Sequence, residues 1–331
     1  MEIRVMDQIR DLPAVVSLWN SCVKAGEVVY VPLSEDYFKV KFLDNPNYTP
    51  ELSLVAIVEG RLVGFINGVY KKEFLPKETA ANTPGYITCF FVDPFFRRHG
   101  VGGRLVEALC EEFKKAGKKQ AACSGNNPIN LDWTIPGTPG HDHNNAPGMD
   151  LESQGYSFLL KHGFIATYRE VAMYLNLLDY REPGDLAQRQ QKLLDEGIYT
   201  GRYNTSLNYE FDGMCDRVGS EYWRKILKDE VKKATPRPIL VATHDRSIVG
   251  FTGPVDMQPS GRGWFSGICT DPLFEKRGIA TVLFNLLMQE FIKVGAKFST
   301  LFTGDSNHAQ RIYAQTGFRI ARRFVVMQRD L

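Results

Sequence analysis

The segment Asp93-Pro94-Phe95-Phe96-Arg97-Arg98-His99-Gly100-Val101-Gly102 returns 178 residues later as Asp271-Pro272-Leu273-Phe274-Glu275-Lys276-Arg277-Gly278-Ile279-Ala280. The match runs on: Val101, Leu105, Leu109, Phe113 and Gly117 align with Ile279, Leu283, Leu287, Phe291 and Gly295. Apolar residues at every fourth position mark one face of a helix, and each helix ends at a glycine able to take the left-handed C-terminal conformation. Gly163-Phe164 and Gly317-Phe318 correspond as well, with Arg169/Arg323 and Met173/Met327, but at an offset of 154. The first copy therefore holds 24 extra residues, placed in the loop-like stretch 125–150. A repeat this long means duplicated domains, because solenoid periods are only about 20–50 residues.

With 331 residues each copy can bury its own core. The boundary is expected near Glu182-Pro183-Gly184, giving domains 1–178 and 179–331. Forty basic residues stand against thirty-eight acidic ones, for a formal charge of +2, which gives no field to hold a nucleic acid or an anionic membrane. Cys22, Cys89, Cys110, Cys123, Cys215 and Cys269 form no C-x-x-C pair and sit mostly in apolar runs, as reduced, buried thiols do. No apolar stretch of signal-peptide or membrane-spanning length is present, so a cytoplasmic location is expected.

Within each copy the patterns alternate between helix and strand. The first reads as a strand Ile3–Val5, helices Leu12–Val23 and Ser34–Phe42, and a hairpin of Leu52–Val58 and Arg61–Val69 about Glu59-Gly60. Strands Tyr86–Val92 and Gln120–Ser124 flank the repeated loop and helix. A short helix Gly155–His162 follows, and a strand Val171–Leu175 closes the copy. The second repeats the order: a strand at Ile198–Arg202, helices Leu207–Val218 and Ser220–Lys233, a hairpin Ile239–Gly253 and a strand Trp264–Thr270. Beyond the repeated helix come a strand Phe298–Phe302, a helix Ala309–Thr316 and a last strand Arg323–Gln328.

A loop ending on a glycine before a helix presents the unpaired N–H groups of the helix N-terminus at its positive end, which suits a diphosphate. This loop and its setting resemble the acetyl-CoA element of the GNAT acyltransferase superfamily, [Gln/Arg]-x-x-Gly-x-[Gly/Ala]. The resemblance covers nearly the whole chain as two tandem units, similar in arrangement to the mycothiol synthases, whose C-terminal unit is the active one. It implies two α/β domains, each a mixed, mainly antiparallel sheet flanked by helices. It also implies acetyl-CoA as co-substrate and no metal. The implied cofactor residues in copy one are Phe91, Val92, Arg97, Arg98, His99, Gly100, Val101, Gly102 and Gly103. In copy two they are Cys269, Thr270, Lys276, Arg277, Gly278, Ile279, Ala280 and Thr281, with Glu275 departing from the pattern.

The same family carries an Asn, a Tyr and a Gly-Phe further on, and copy two matches with Asn307, Tyr313 and Gly317-Phe318. The resemblance assigns Tyr313 to protonate the leaving thiolate and Asn307 to steady the pantetheine, and so favours copy two as catalytic. Copy one has Leu159 at the tyrosine position, with Tyr156 and Phe158 nearby. The implied reaction moves an acetyl group to a primary amine of a small acceptor. The alternatives are a non-catalytic acyl-CoA-binding or regulatory protein and a protein N-acetyltransferase. The chain is expected to work as a pseudo-dimer in one polypeptide or as a homodimer.

Other groups fit bland roles better. Neither strand before the loops holds a carboxylate, which leaves Asp256 and Glu73 as base candidates that read more readily as solvated loop acids. His141-Asp142-His143, with Asn144, Asn145 and Asp150, lies in a Gly/Pro/Asn-rich loop without the converging ligands a metal needs. That loop reads instead as a lid anchored by Trp133, Ile135 and Met149. Lys114, Lys115, Lys118 and Lys119 read as solvated charge at a helix C-terminus, and His308 as either an aid to Asn307 or a cap on the following helix. Cys89 and Cys269 lie in the strands before the loops, but no histidine accompanies them, so direct transfer is expected over an acyl-enzyme.

Overall fold

The computed structural model describes residues 1–134, 138, 143–144, 146–207 and 209–331. Ile135, His141, Asp142 and Asn145 lie outside the described residues. Among the described residues no helix is long and apolar enough to cross a membrane.

Two compact units emerge: unit 1 is Met1–Ala172 with Arg322–Leu331, and unit 2 is Met173–Ala321. The expected division at 178/179 follows the chain, and the units do not. Each sheet takes its last strand from the other copy.

In unit 1, strands Glu2–Val5, Ser53–Val58, Arg61–Val69 and Gly85–Val92 pair antiparallel in succession. Glu59 and Gly60 both have positive φ, 48° and 77°, the backbone of a tight hairpin whose twist matches its strands. Gln120–Cys123 then joins Gly85–Val92 in parallel. Its other edge is filled by the strand Arg319–Asp330, with Met327 opposite Cys123 and Asp330 opposite Gln120. The strand expected to close the first copy over Val171–Leu175 runs from Ile165 to Asn176, and from Met173 onward it belongs to unit 2. There it lies beside Phe298–Gly304, with the Tyr174 and Phe298 rings 5.8 Å apart. Both strands carry a continuous apolar run, Val171–Leu175 and Phe324–Met327, so the pattern does not tell which sheet each one enters.

The helix Val101–Lys115 packs on the unit 1 sheet through Val101, Leu105, Leu109 and Phe113, each buried. Burying side chains of this size stabilises by about 1.5–3 kcal/mol apiece. The approach is close enough that a Cβ on Gly85 would stand 2.4 Å from the Phe113 ring. Unit 2 repeats the device: a Cβ on Gly263 would stand 2.7 Å from Phe291 in the helix Ile279–Lys293.

Unit 2 has an antiparallel sheet of Tyr199–Arg202, Leu240–His244, Ser247–Gly253 and Gly267–Thr270. Arg262–Trp264 pairs in parallel with Phe298–Gly304. The single strand expected over Trp264–Thr270 is thus two pieces. They part at Phe265-Ser266, where the Ser266 hydroxyl and N–H both donate to the Gly253 carbonyl. The helix expected over Leu207–Val218 is confined to Asp212–Val218.

Candidate active site

In unit 1 the repeated loop begins at Asp93, whose carboxylate accepts from the Phe95 N–H at 3.0 Å and pairs with Arg61 at 2.5 Å. Arg97 turns inward. Its Nε donates to the Val92 carbonyl at 2.9 Å and its guanidinium grips Glu27 at 2.8 and 2.5 Å. That grip holds the Glu27 carboxyl below its ordinary range. Arg98 and Gly100 take positive φ, 62° and 81°, and carry the chain into the helix. Gly100 caps the helix without a side-chain acceptor, so the first N–H groups of the helix are left for a ligand. A Cβ on Gly100 would meet nothing within 4 Å, which leaves room in front of them.

Beside this loop lies a cavity of about 810 Å³. Strand geometry creates it. Gly85–Val92 pairs with Gln120–Cys123 only at Gly85–Ala121 and Tyr86–Ala122; beyond that the two edges part. Ile87–Val92 then line the opening with backbone groups off that ladder, while Tyr30 donates its hydroxyl to the Thr88 carbonyl. Phe91, Val92, Arg97, Arg98, Gly100, Gly102 and Gly103 all line the cavity; Val101 is buried in the core and His99 is exposed off the lining.

The helix Gln154–Lys161 forms a further wall and spans about 12 Å. Phe158 lies over Gly102, where a Cβ would meet its ring at 3.1 Å, and its ring sits tilted 4.4 Å from His162 and 5.5 Å from Phe90. The lining is cationic at Lys161, which ends the helix, and at Arg98 in the loop; just before the helix it holds Asp150 and Glu152. Arg322 binds both acids: Nη2 meets Asp150 at 2.8 Å and Nη1 meets Glu152 at 2.6 Å. In the sequence Asp150 stands out only beside the histidines, and nothing nearby marks Glu152 or Arg322. The 172 residues between Arg322 and Asp150 leave no local signal.

The insertion supplies part of the wall through Asn127, Leu131, Ala146 and Gly148. Two of its expected anchors hold: Trp133 is fully buried and Met149 pairs with Val325. Among the described residues no group of three His, Cys, Asp or Glu side chains is placed to hold a metal ion.

In unit 2, Asp271 likewise caps Leu273 and pairs with Arg217. Lys276 and Gly278 have φ of 63° and 90°, and Gly278 caps the helix at Ile279. Arg277 turns to Glu196 at 3.1 Å, and the Thr281 carbonyl accepts from Asn285. Ala280 is half-buried and Ile279 buried. Thr270 Oγ1 is buried with no hydrogen-bond partner among the described residues. Tyr313 is 6% exposed, its ring 4.8 Å from Phe284, and burial pushes its hydroxyl up to about 12, keeping it protonated. Asn307 donates to Thr303 at 2.9 Å and accepts from the Ala309 N–H at 2.9 Å, so it fixes the turn into the helix Gln310–Gln315. His308 is exposed beside it. Leu159, the counterpart of Tyr313, is fully buried.

Several lesser candidates resolve. Asp256 is paired with Arg237 at 2.6 Å, and Glu73 is exposed and off the cavity lining. Lys118 departs from the solvated reading: it is 7% exposed, and its ammonium donates to the carbonyls of Ala80 and Thr83, which stand in for water. Burial pushes the thiols of Cys89 and Cys269 up to about 12, leaving no thiolate nucleophile near neutrality.

The comparisons with known proteins agree with this geometry. No curated protein matches. The glucosamine N-acetyltransferase region of a fungal multi-domain GH3 β-N-acetylglucosaminidase superposes with a TM-score of 0.67 at 18% identity, covering 99% of this chain and 38% of that one. A GCN5-related N-acetyltransferase from Sphaerobacter thermophilus gives 0.61 at 16%, covering 99% and 95%. A tandem GNAT protein from the clavulanic acid biosynthesis pathway gives 0.54 at 15%, covering 99% and 98%. At these identities the likeness is one of fold. The acetyltransferase (GNAT) family model matches residues 15–131 and 206–318, one stretch in each copy. A glycine-capped loop and helix built twice, matched over more than half of its length, make this chain a tandem two-domain member of the acetyltransferase (GNAT) family.

Proposed function

We propose that the protein is an acetyl-CoA-dependent N-acetyltransferase of a small amine, with the unit 1 cavity as its working site. The observation that carries this reading is the continuity of that cavity from the Arg98–Gly103 loop, along Ile87–Val92, to the acids Asp150 and Glu152. Acetyl-CoA brings the acyl group as an activated thioester. The free N–H groups after Gly100, with Arg98, suit its diphosphate, and the edge of Ile87–Val92 that faces away from Arg61–Val69 suits an amide-bearing pantetheine arm and a polarised carbonyl.

Two carboxylates against one guanidinium leave the far wall with an excess negative charge, which draws an ammonium. Asp150 accepts from Arg322 Nε at both oxygens, from its Nη2, and from the Glu152 N–H, while the Glu152 carboxylate accepts from Arg322 Nη1. We assign Glu152 to take the amine proton, directly or through water. Leu159 offers no proton, and none is required there: a thiol with a pKa of about 8.5 leaves as thiolate and is protonated by water. The first acceptor to try is an amino sugar, as acted on by the fungal relative.

A second reading keeps chemistry in unit 2, on the strength of the buried, protonated Tyr313. CoA release on an amine panel, comparing the wild type with Gly100→Trp and Gly278→Trp, separates the two. Loss of turnover in Gly100→Trp alone supports unit 1; loss in Gly278→Trp alone supports unit 2. Acetyl-CoA binding by calorimetry without release to any amine supports a binding protein, and release to peptide amines only supports a protein N-acetyltransferase.

A further inference from the structure

The unit 1 cavity is not lined by the first copy alone. Arg322 and Phe324, from the strand Arg319–Asp330, reach it from the far end of the sequence. The same strand holds the insertion at both ends. Phe324 and Val325 pair with Asp150 and Met149, and the Leu151 N–H donates to the Arg323 carbonyl at 3.1 Å. Gly148 comes so near that a Cβ would stand 2.4 Å from the Val325 carbonyl oxygen. Trp133 meets Phe324 edge-on, with ring centroids 5.1 Å apart.

Within this frame the Arg322 side chain is 17% exposed and uses its whole fork on the two acids. Nε and Nη2 fix the plane of the Asp150 carboxylate, and Nη1 fixes Glu152, whose own side chain is 64% exposed and has no other side-chain partner among the described residues. A planar fork holds two carboxylates in set orientations, which an ammonium on a flexible stem does not. One cation among two anions also leaves a wall that attracts a cationic amine and repels one bearing its own carboxylate.

We propose that Arg322 is a positioning residue that sets acceptor specificity, orienting Asp150 and Glu152 to receive a small cationic amine without a carboxylate of its own. The proposal rests on the unit 1 reading of function. Its test is steady-state kinetics of Arg322→Lys and Arg322→Ala on the full chain, with glucosamine and serine as acceptors and acetyl-CoA as donor. The wild type acetylates glucosamine and not serine. Arg322→Lys keeps the charge but loses the fork, and raises the KM for glucosamine about tenfold, the effect of one lost charge-assisted hydrogen bond. The KM for acetyl-CoA stays unchanged, and millimolar guanidinium restores part of the activity of Arg322→Ala.

Equal changes in both KM values, or an Arg322→Lys enzyme with wild-type KM for glucosamine, overturn the positioning role while leaving the function intact. So does equal use of serine by the wild type. Should Arg322→Ala fail to fold, Arg322→Lys alone decides. A wild type that releases CoA to no amine overturns the functional reading and this inference with it.

Discussion

A Cβ placed on Gly103 would stand 2.7 Å from Cε1 of the His162 imidazole. The second glycine of the Gly102-Gly103 pair therefore has a packing reason to be glycine, separate from any ligand. At the equivalent positions copy two has Thr281 and Thr316, and Thr316 turns its hydroxyl back to the Ile312 carbonyl. Gly103→Ala is expected to destabilise unit 1 by about 1–3 kcal/mol, the usual cost of overpacking. Adding His162→Ala should recover most of the loss. Thermal melts of both variants check this; an unchanged Tm in Gly103→Ala shows that the ring swings away freely.

Acid should unfold unit 1 partly through Asp11. The Arg4 guanidinium, 2.5 and 2.9 Å from its oxygens, holds this carboxyl down to about 2. A depressed folded value means that the stabilisation is complete above the ordinary Asp range and is lost as pH falls toward 2. Asp11→Asn should cost about 2 kcal/mol at pH 7, and the gap from wild type should close near pH 2. Urea midpoints across that range measure it.

Thiol chemistry should be dispensable. With Cys89 and Cys123 pushed up to about 12 by burial, iodoacetamide at pH 8 should leave the native protein active, and Cys89→Ser should keep kcat within about threefold. Rapid, stoichiometric inactivation by the reagent would restore an acyl-enzyme to consideration.

Tyr313→Phe separates the two units. With catalysis in unit 1 the variant should keep kcat within about twofold, since the ring still fills its place against Phe284. If its hydroxyl supplies the departing thiolate with a proton, kcat should drop by about 10²-fold or more.

The repeat, the glycine-capped loops and the hairpins were legible because they rest on local rules: period, capping and turn backbone. Residues 59–60 and 245–246 all take positive φ with only one glycine among them, so the two-residue spacing mattered more than composition. Asn307 was legible as a position, but its hydrogen bonds to Thr303 and Ala309 appear only in three dimensions. Arg97 reads as a phosphate donor in the loop, yet Glu27, seventy residues earlier, takes its guanidinium. The grouping of Asp150, Glu152 and Arg322 was hidden because it depends on which sheet the last strand enters, and an apolar run alone leaves that open.

That crossing of strands bears on how such a chain could arise. A lone first half would leave Gln120–Cys123 as an open sheet edge and would carry, in Met173–Asn176, a strand end with no sheet of its own. Exposed edges of this kind invite pairing with other chains. Two like halves meet each other's need reciprocally, as separate subunits trading tails would. Fusion into one polypeptide replaces that search by diffusion with a tether, at fixed one-to-one stoichiometry. Once fused, the halves can diverge, as Leu159 and Tyr313 have, without losing the means to complete each other.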